Sequence, residues 1–139
     1  MNLKEGAWVY IDNKIGTDII EINKIKESVN AFGDKYLKKI FTTKEIQYCM
    51  KYKKTYAQHL AARFAAKEAV IKILEPLNEV IHFKDIEIVR YSNGSCKVEL
   101  HGNAKKLAME RNINYTSVSL SHEEKYAIAM VLVSTYKKE

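Results

Sequence analysis

Tyr56-Ala57-Gln58-His59-Leu60-Ala61-Ala62-Arg63-Phe64-Ala65-Ala66-Lys67-Glu68-Ala69-Val70-Ile71-Lys72-Ile73-Leu74-Glu75 is the longest helical signal in the chain. It is rich in alanine, contains no glycine, and is stopped by Pro76, whose ring cannot continue a helix. Glu68 and Lys72 are four apart, so they share one helical face about one turn from each other. At about 100° per residue Ala61 and Ala65 fall in the same sector, and small side chains there leave room for a ligand beside a carboxylate and an ammonium. A Glu-x-x-x-Lys spacing taken alone is more often an exposed ion pair worth about 0.2–0.5 kcal/mol.

Outward from this helix, the two flanks mix helix and strand signals. Upstream, Thr42 or Thr43 can cap a helix with Glu45 in its first turn, and Asp34 can cap another that runs to Ile40. Asn23 to Asn30 predicts a short helix, broken by Phe32-Gly33. Ile15 to Ile22 predicts a strand, preceded by a shorter one at Trp8 to Ile11 and a turn at Asp12-Asn13. Asp18 interrupts that strand. A carboxylate among apolar residues needs a cation, a metal or donors, unless it sits at a strand edge. Glu21, three residues on, points to the opposite face.

Downstream, Lys84 to Arg90 and Lys97 to Leu100 read as strands joined at Ser92-Asn93-Gly94, where Asn-Gly supplies positive-φ residues. Asn103 to Arg111 reads as a helix capped by Asn103. Thr116 to Leu120 and Tyr126 to Val133 form a last strand pair around Ser121-His122-Glu123-Glu124-Lys125. The class is α+β, with antiparallel hairpins around one long central helix.

The 139 residues, 47% of them apolar, suit one domain with a real core. The longest apolar run near the end, Ala127 to Val133, is far short of the roughly 20 residues that span a bilayer. No apolar segment of signal-peptide length follows Met1 to Glu5, and a soluble cytoplasmic protein is expected. Cys49 and Cys96 make neither a metal spacing nor a disulfide framework, and His59, His82 and His101 are scattered. Lys+Arg exceed Asp+Glu by 23 − 17 = 6. That balance fits nucleic acid, an acidic protein, an anionic cofactor or plain solubility. No nucleic-acid motif accompanies it, and no Gly-x-Ser-x-Gly elbow supports a serine hydrolase. His122, after Ser119-Leu120-Ser121, can hold a phosphate, act as a base or simply close a turn.

Taken together, the segments resemble the holo-acyl-carrier-protein synthases, the small trimeric branch of the 4′-phosphopantetheinyl transferases. The resemblance rests on Gly16-Thr17-Asp18-Ile19-Ile20-Glu21-Ile22, on Phe41-Thr42-Thr43-Lys44-Glu45, and on Arg63-Phe64-Ala65-Ala66-Lys67-Glu68-Ala69 with Lys72. Asp85-Ile86-Glu87-Ile88, Asn93-Gly94, Val118-Ser119-Leu120-Ser121-His122 and Tyr126-Ala127 follow in order, so that it runs from about residue 14 to 133. It implies one compact domain over 1–139, with an N-terminal extension of about 1–13. It also implies a cytoplasmic enzyme of fatty acid biosynthesis that moves the phosphopantetheine arm of coenzyme A onto a serine of an acidic apo acyl-carrier protein, releasing adenosine 3′,5′-bisphosphate.

By the same resemblance Asp18 and Glu68 hold Mg²⁺, with Mn²⁺ as a substitute, and Lys72 pairs with the pyrophosphate. Lys67 and Arg63 add phosphate contacts, while His122 and Asn93 face the adenosine 3′-phosphate or adenine. The serine proton goes to Glu68 or to a metal-activated water. Lys24 and Lys26 receive the carrier, and the site lies between subunits of a homotrimer. Three features depart from the family pattern. Ile73-Leu74-Glu75-Pro76-Leu77-Asn78 replaces a Gly-rich turn, Asn93-Gly94-Ser95-Cys96 lacks the usual proline, and Lys24 stands where arginine is frequent. They suggest a divergent member, and the alternative they raise is a family-fold protein that binds coenzyme A or a carrier with weak or no turnover.

Overall fold

The computed structural model describes residues 6–139. Its first strand, β1 (Trp8–Glu21), runs straight through Asp12-Asn13, where the sequence predicts a turn. The neighbouring strand satisfies those polar side chains: Thr135 Oγ1 donates to Asp12 Oδ1 and Ser134 Oγ donates to Asn13 Oδ1. A bulge between Tyr10 and Asp12 absorbs the irregularity. The expected N-terminal extension thus joins the sheet from Trp8 onward, and its first five residues lie outside the described ones.

Four helices follow: α1 (Ile22–Phe32), α2 (Asp34–Ile40), α3 (Thr43–Met50) and the long α4 (Tyr56–Leu74). A 3₁₀ turn at Phe83–Asp85 leads into β2 (Ile86–Arg90) and β3 (Cys96–Leu100). Then come α5 (Gly102–Glu110), β4 (Ile113–His122) and β5 (Tyr126–Lys138). One antiparallel sheet has the order β1-β5-β4, and β2-β3 is a separate antiparallel hairpin. The expected α+β class, with antiparallel strands around one long helix, is what is observed.

The central strand β5 shows why α4 lies where it does. Ala127, Ala129, Val131 and Val133 are buried, while Tyr126, Ile128, Met130 and Leu132 between them are exposed. Against the buried face, α4 presents Ala65, Ala66, Ala69, Val70 and Ile73. The approach is so close that a Cβ on Gly16 would stand 2.3 Å from Ala69 O, so only glycine fits there. Ala61 and Ala65 are fully buried, which corrects the expectation that they leave room for a ligand. Their smallness serves helix-to-sheet and helix-to-helix packing.

The ends of the helices are partly as read. Thr42 and Glu45 form a reciprocal capping box on α3. Gly33, not Asp34, occupies the N-cap of α2. His101 precedes α5, and Asn103 Nδ2 donates to Val80 O instead of capping. In the β2-β3 hairpin Gly94 has φ +89°, whereas Asn93 does not take a positive φ. The turn after α4 is built without glycine. Glu75 takes the left-handed conformation (φ 48°, ψ 59°), and Arg111 donates from Nε to Leu74 O and from Nη2 to Glu75 O. A guanidinium thus satisfies carbonyls at the helix C-terminus and complements its dipole.

Candidate active site

Strand alternation turns Asp18 toward α4, where Lys72 meets it. Lys72 Nζ donates to Thr17 O at 2.8 Å and to Asp18 Oδ1 at 3.1 Å. One helical turn earlier, Glu68 is half-buried and its carboxyl is held above the usual range. Burial is the main cause, the charge of Asp18 adds to it, and Lys72 acts in the opposite sense. Asp18 and Glu68 line a cleft of about 450 Å³ together with Lys24, Ser28, Tyr36 and Phe64. Three of the residues singled out in the sequence therefore converge within one chain, and Lys24 joins them from α1.

Lys26 goes elsewhere. Two residues apart on α1 is a rotation of about 200°, and Lys26 lines a different cleft of about 620 Å³ with Glu21, Lys54, Gln58, Lys125 and Tyr126. Glu21 faces away from Asp18, as strand geometry predicts.

A third cleft, of about 360 Å³, lies between α4, the β2-β3 hairpin and β4, and brings Arg63 to His122. Arg63 is 3% exposed. Its Nη1 donates to His59 O, its guanidinium sits 4.5 Å from the Tyr48 ring centroid, and its buried Nε has no acceptor among the described residues. Arg90 and His59, neither of them singled out in the sequence, line the same cleft. His59 lies 5.8 Å from His122 between ring centroids, and its pKa is pulled down to about 4 by burial, with Arg63 and His122 adding to the effect. One signal for His59 was available, since it stands one turn before Arg63. Arg90 had none, because the hairpin that delivers it is a tertiary feature. Asn93 sits at the hairpin tip with Oδ1 accepting from Ser95 N and Oγ, and it is Gly94 and Ser95 that line the cleft.

Lys67 requires a correction. It is fully buried, and its ammonium donates to Glu45 Oε1 at 2.8 Å, Phe83 O at 3.0 Å and Ile86 O. Three donors meet three acceptors in the interior, so the side chain has nothing left for a phosphate. The reason is rotational: the residue beside Glu68 is turned about 100° into the core.

Glu87, Glu99 and His101 place one potential ligand atom each within 4.8 Å of one another on the hairpin side. The two Glu87 oxygens are engaged there by Thr42 Oγ1 and His101 Nε2. For Mg²⁺ the donor set of Asp18 and Glu68 fits better. Two hard carboxylates that repel each other, with room beside them, suit a cation that keeps several waters. Among the described residues no helix is long and apolar enough to cross a membrane.

A family model described as the 4′-phosphopantetheinyl transferase superfamily matches residues 14–131. The chain belongs to that superfamily. Among curated relatives, a holo-[acyl-carrier-protein] synthase of Halothermothrix orenii is 42% identical over 118 residues, covering 85% of this chain and 94% of the relative. Among solved structures, Helicobacter pylori holo-[acyl-carrier-protein] synthase in complex with coenzyme A is similar at a TM-score of 0.74 and 33% identity, covering 86% of this chain and 99% of that one. A coenzyme A complex of the Chronobacterium ammoniagenes enzyme is similar at 0.78 and 25%, covering 92% and 100%.

Proposed function

We propose that this enzyme transfers the 4′-phosphopantetheine arm of coenzyme A to a serine of an apo acyl-carrier protein. The observation that carries the reading is the convergence of Asp18, Glu68 and Lys72 in one chain, within a fold shared with coenzyme A-bound relatives. Asp18 and Glu68 would hold Mg²⁺, which when bound neutralises pyrophosphate charge. Lys72 spends two hydrogens on Thr17 and Asp18 and has a third for a phosphate oxygen. The serine oxygen forms its bond to the β-phosphorus as the bond to the bridging oxygen breaks. That oxygen leaves with the electron pair on adenosine 3′,5′-bisphosphate, and the serine proton passes to Glu68 or to water beside it.

The Arg63, Arg90 and His122 cleft is the proposed nucleotide side, where the unpaired Arg63 Nε has a use for a phosphate oxygen. On α4 this cleft and the Asp18–Glu68 cleft open around different sides of the helix. Such a split favours sites completed between copies of the chain. The outward face of the β1-β5-β4 sheet, where Ile15, Ile19 and Met130 are 67%, 63% and 52% exposed, supports association between copies of the chain, and the family resemblance makes the proposed assembly a homotrimer. Lys24, beside the reaction centre, and Lys26, on its own cleft, are the proposed carrier contacts.

The test is release of adenosine 3′,5′-bisphosphate from coenzyme A. It is expected only when Mg²⁺ or Mn²⁺ and an apo carrier are both present. Release that ignores the carrier, or no release with any of several carriers, contradicts the reading. Light scattering should give three times the chain mass, and a monomer would remove the shared-site arrangement.

A further inference from the structure

We infer that Lys67 is a positioning residue: its buried anchor to Glu45 fixes the rotation and height of α4, and thereby holds the Glu68 carboxylate beside Asp18. This rests on the transferase reading for its consequence in turnover, though not for its consequence in geometry.

The anchor ties together separately formed parts of the fold. From α4, Lys67 Nζ reaches Glu45 Oε1 on α3, Phe83 O in the 3₁₀ turn and Ile86 O at the start of β2. Glu45 is itself fixed at both oxygens, accepting from Thr42 N at 2.8 Å and Ile88 N at 2.9 Å. Thr42 Oγ1 then donates to Glu87 Oε2 at 2.6 Å, carrying the network further along β2. Neither member of the central pair has exposed side-chain surface. A solvent-facing role is therefore closed to Lys67, although it adjoins Glu68.

An apolar side chain at this position could fill the space but not do the same job. The α4 surface against the sheet is mostly alanine, and apolar burial has no preferred direction. Three directed acceptors, by contrast, define one position for the Nζ atom. The next residue lies about 100° further round and about 1.5 Å further along the axis, so fixing Lys67 places Glu68. On the other side, the contact of Gly16 with Ala69 O sets the distance of β1, and with it Asp18. One carboxylate is thus located by the strand and the other by the anchor.

Lys67→Met leaves Glu45 as an unpaired buried charge and can fail to fold. The decisive protein is therefore Lys67→Met/Glu45→Gln, which removes both charges. Glu45→Gln alone removes the counter-charge of Lys67 but keeps an amide oxygen and both carbonyls as acceptors. Two readouts are taken in folded protein: the carbon-13 NMR titration of the Glu68 carboxyl without metal, and kcat against KM with an apo carrier. The double variant should move the Glu68 midpoint back toward an ordinary glutamate. It should also lower kcat about 10- to 100-fold, with KM for coenzyme A within about twofold. Glu45→Gln should shift both in the same direction by less. A wild-type-like Glu68 titration in the folded double variant overturns the inference, as does an unchanged kcat. If the wild type itself transfers nothing, the transferase reading fails, and the titration still decides whether Lys67 positions Glu68.

Discussion

Lys67 and Glu68 are neighbours in sequence and opposites in setting. Lys67 is fully buried with every donor used, and its acceptors belong to the fold. Glu68 is half-buried, faces the charge of Asp18, and has its proton affinity raised by that setting. The difference teaches how to separate structure from chemistry on one helix. A charge that the protein neutralises completely serves the architecture, and a charge left under-compensated beside a cleft is available to a ligand.

The largest expected effect falls on the under-compensated side. Asp18→Ala or Glu68→Ala should lower transfer about 10³-fold or more in protein that still folds and melts cooperatively. Full activity in either variant breaks the comparison at its catalytic end. On the compensated side, Glu45→Ala should cost about 3–5 kcal/mol, because it strands Lys67 in the interior. Denaturant unfolding measures that, and a loss below about 1 kcal/mol would mean that the pair is not the anchor described.

Lys72 lies between the two cases. It is paired with Asp18 but its side chain is 56% exposed, so Lys72→Ala should change stability by less than about 1 kcal/mol. The same variant should lower kcat about 10- to 100-fold. A stability loss as large as that of Glu45→Ala would make Lys72 structural.

A smaller effect sharpens the reading of Glu68. Its pKa in the fold is raised, so the folded chain binds that proton more tightly than the unfolded chain. Stability associated with it is present at acid pH and is lost as pH rises through the folded value. Metal-free Glu68→Gln should therefore be more stable than wild type at pH 7, with the gain vanishing below the ordinary glutamate value of 4.5. Equal stability at both pH values would contradict the strained setting.

A pH effect of the opposite sign belongs to His59, whose pKa falls from 6.5 to about 4 on folding. The unfolded chain protonates first, so stability is lost as pH falls from about 6.5 toward 4. Unfolding melts at pH 7 and pH 5 should show a shallower decline in His59→Phe than in wild type.

The chemical end of the site was the legible part of the sequence. Asp18 breaks an apolar strand, and Glu68 and Lys72 keep helical spacing, but each taken alone is more often structural, and it is the family resemblance that joins the three. The Thr42–Glu45 box was readable directly, because capping is local. The burial of Lys67 and Arg63 was not, since α4 is enclosed around most of its circumference and offers no wide polar face by which inside can be told from outside. Asp12-Asn13 failed as a turn because its partners, Ser134 and Thr135, lie more than a hundred residues away. Arg111, which holds the turn after α4, was invisible for the same reason: it acts 36 and 37 residues from where it sits.

The most direct test of the central claim is the intact mass of an apo acyl-carrier protein after incubation with this enzyme, coenzyme A and Mg²⁺. The account predicts a gain of one phosphopantetheine on the carrier serine, abolished by Glu68→Ala and by a chelator. An unmodified carrier with folded wild-type enzyme, across several carriers, would contradict it.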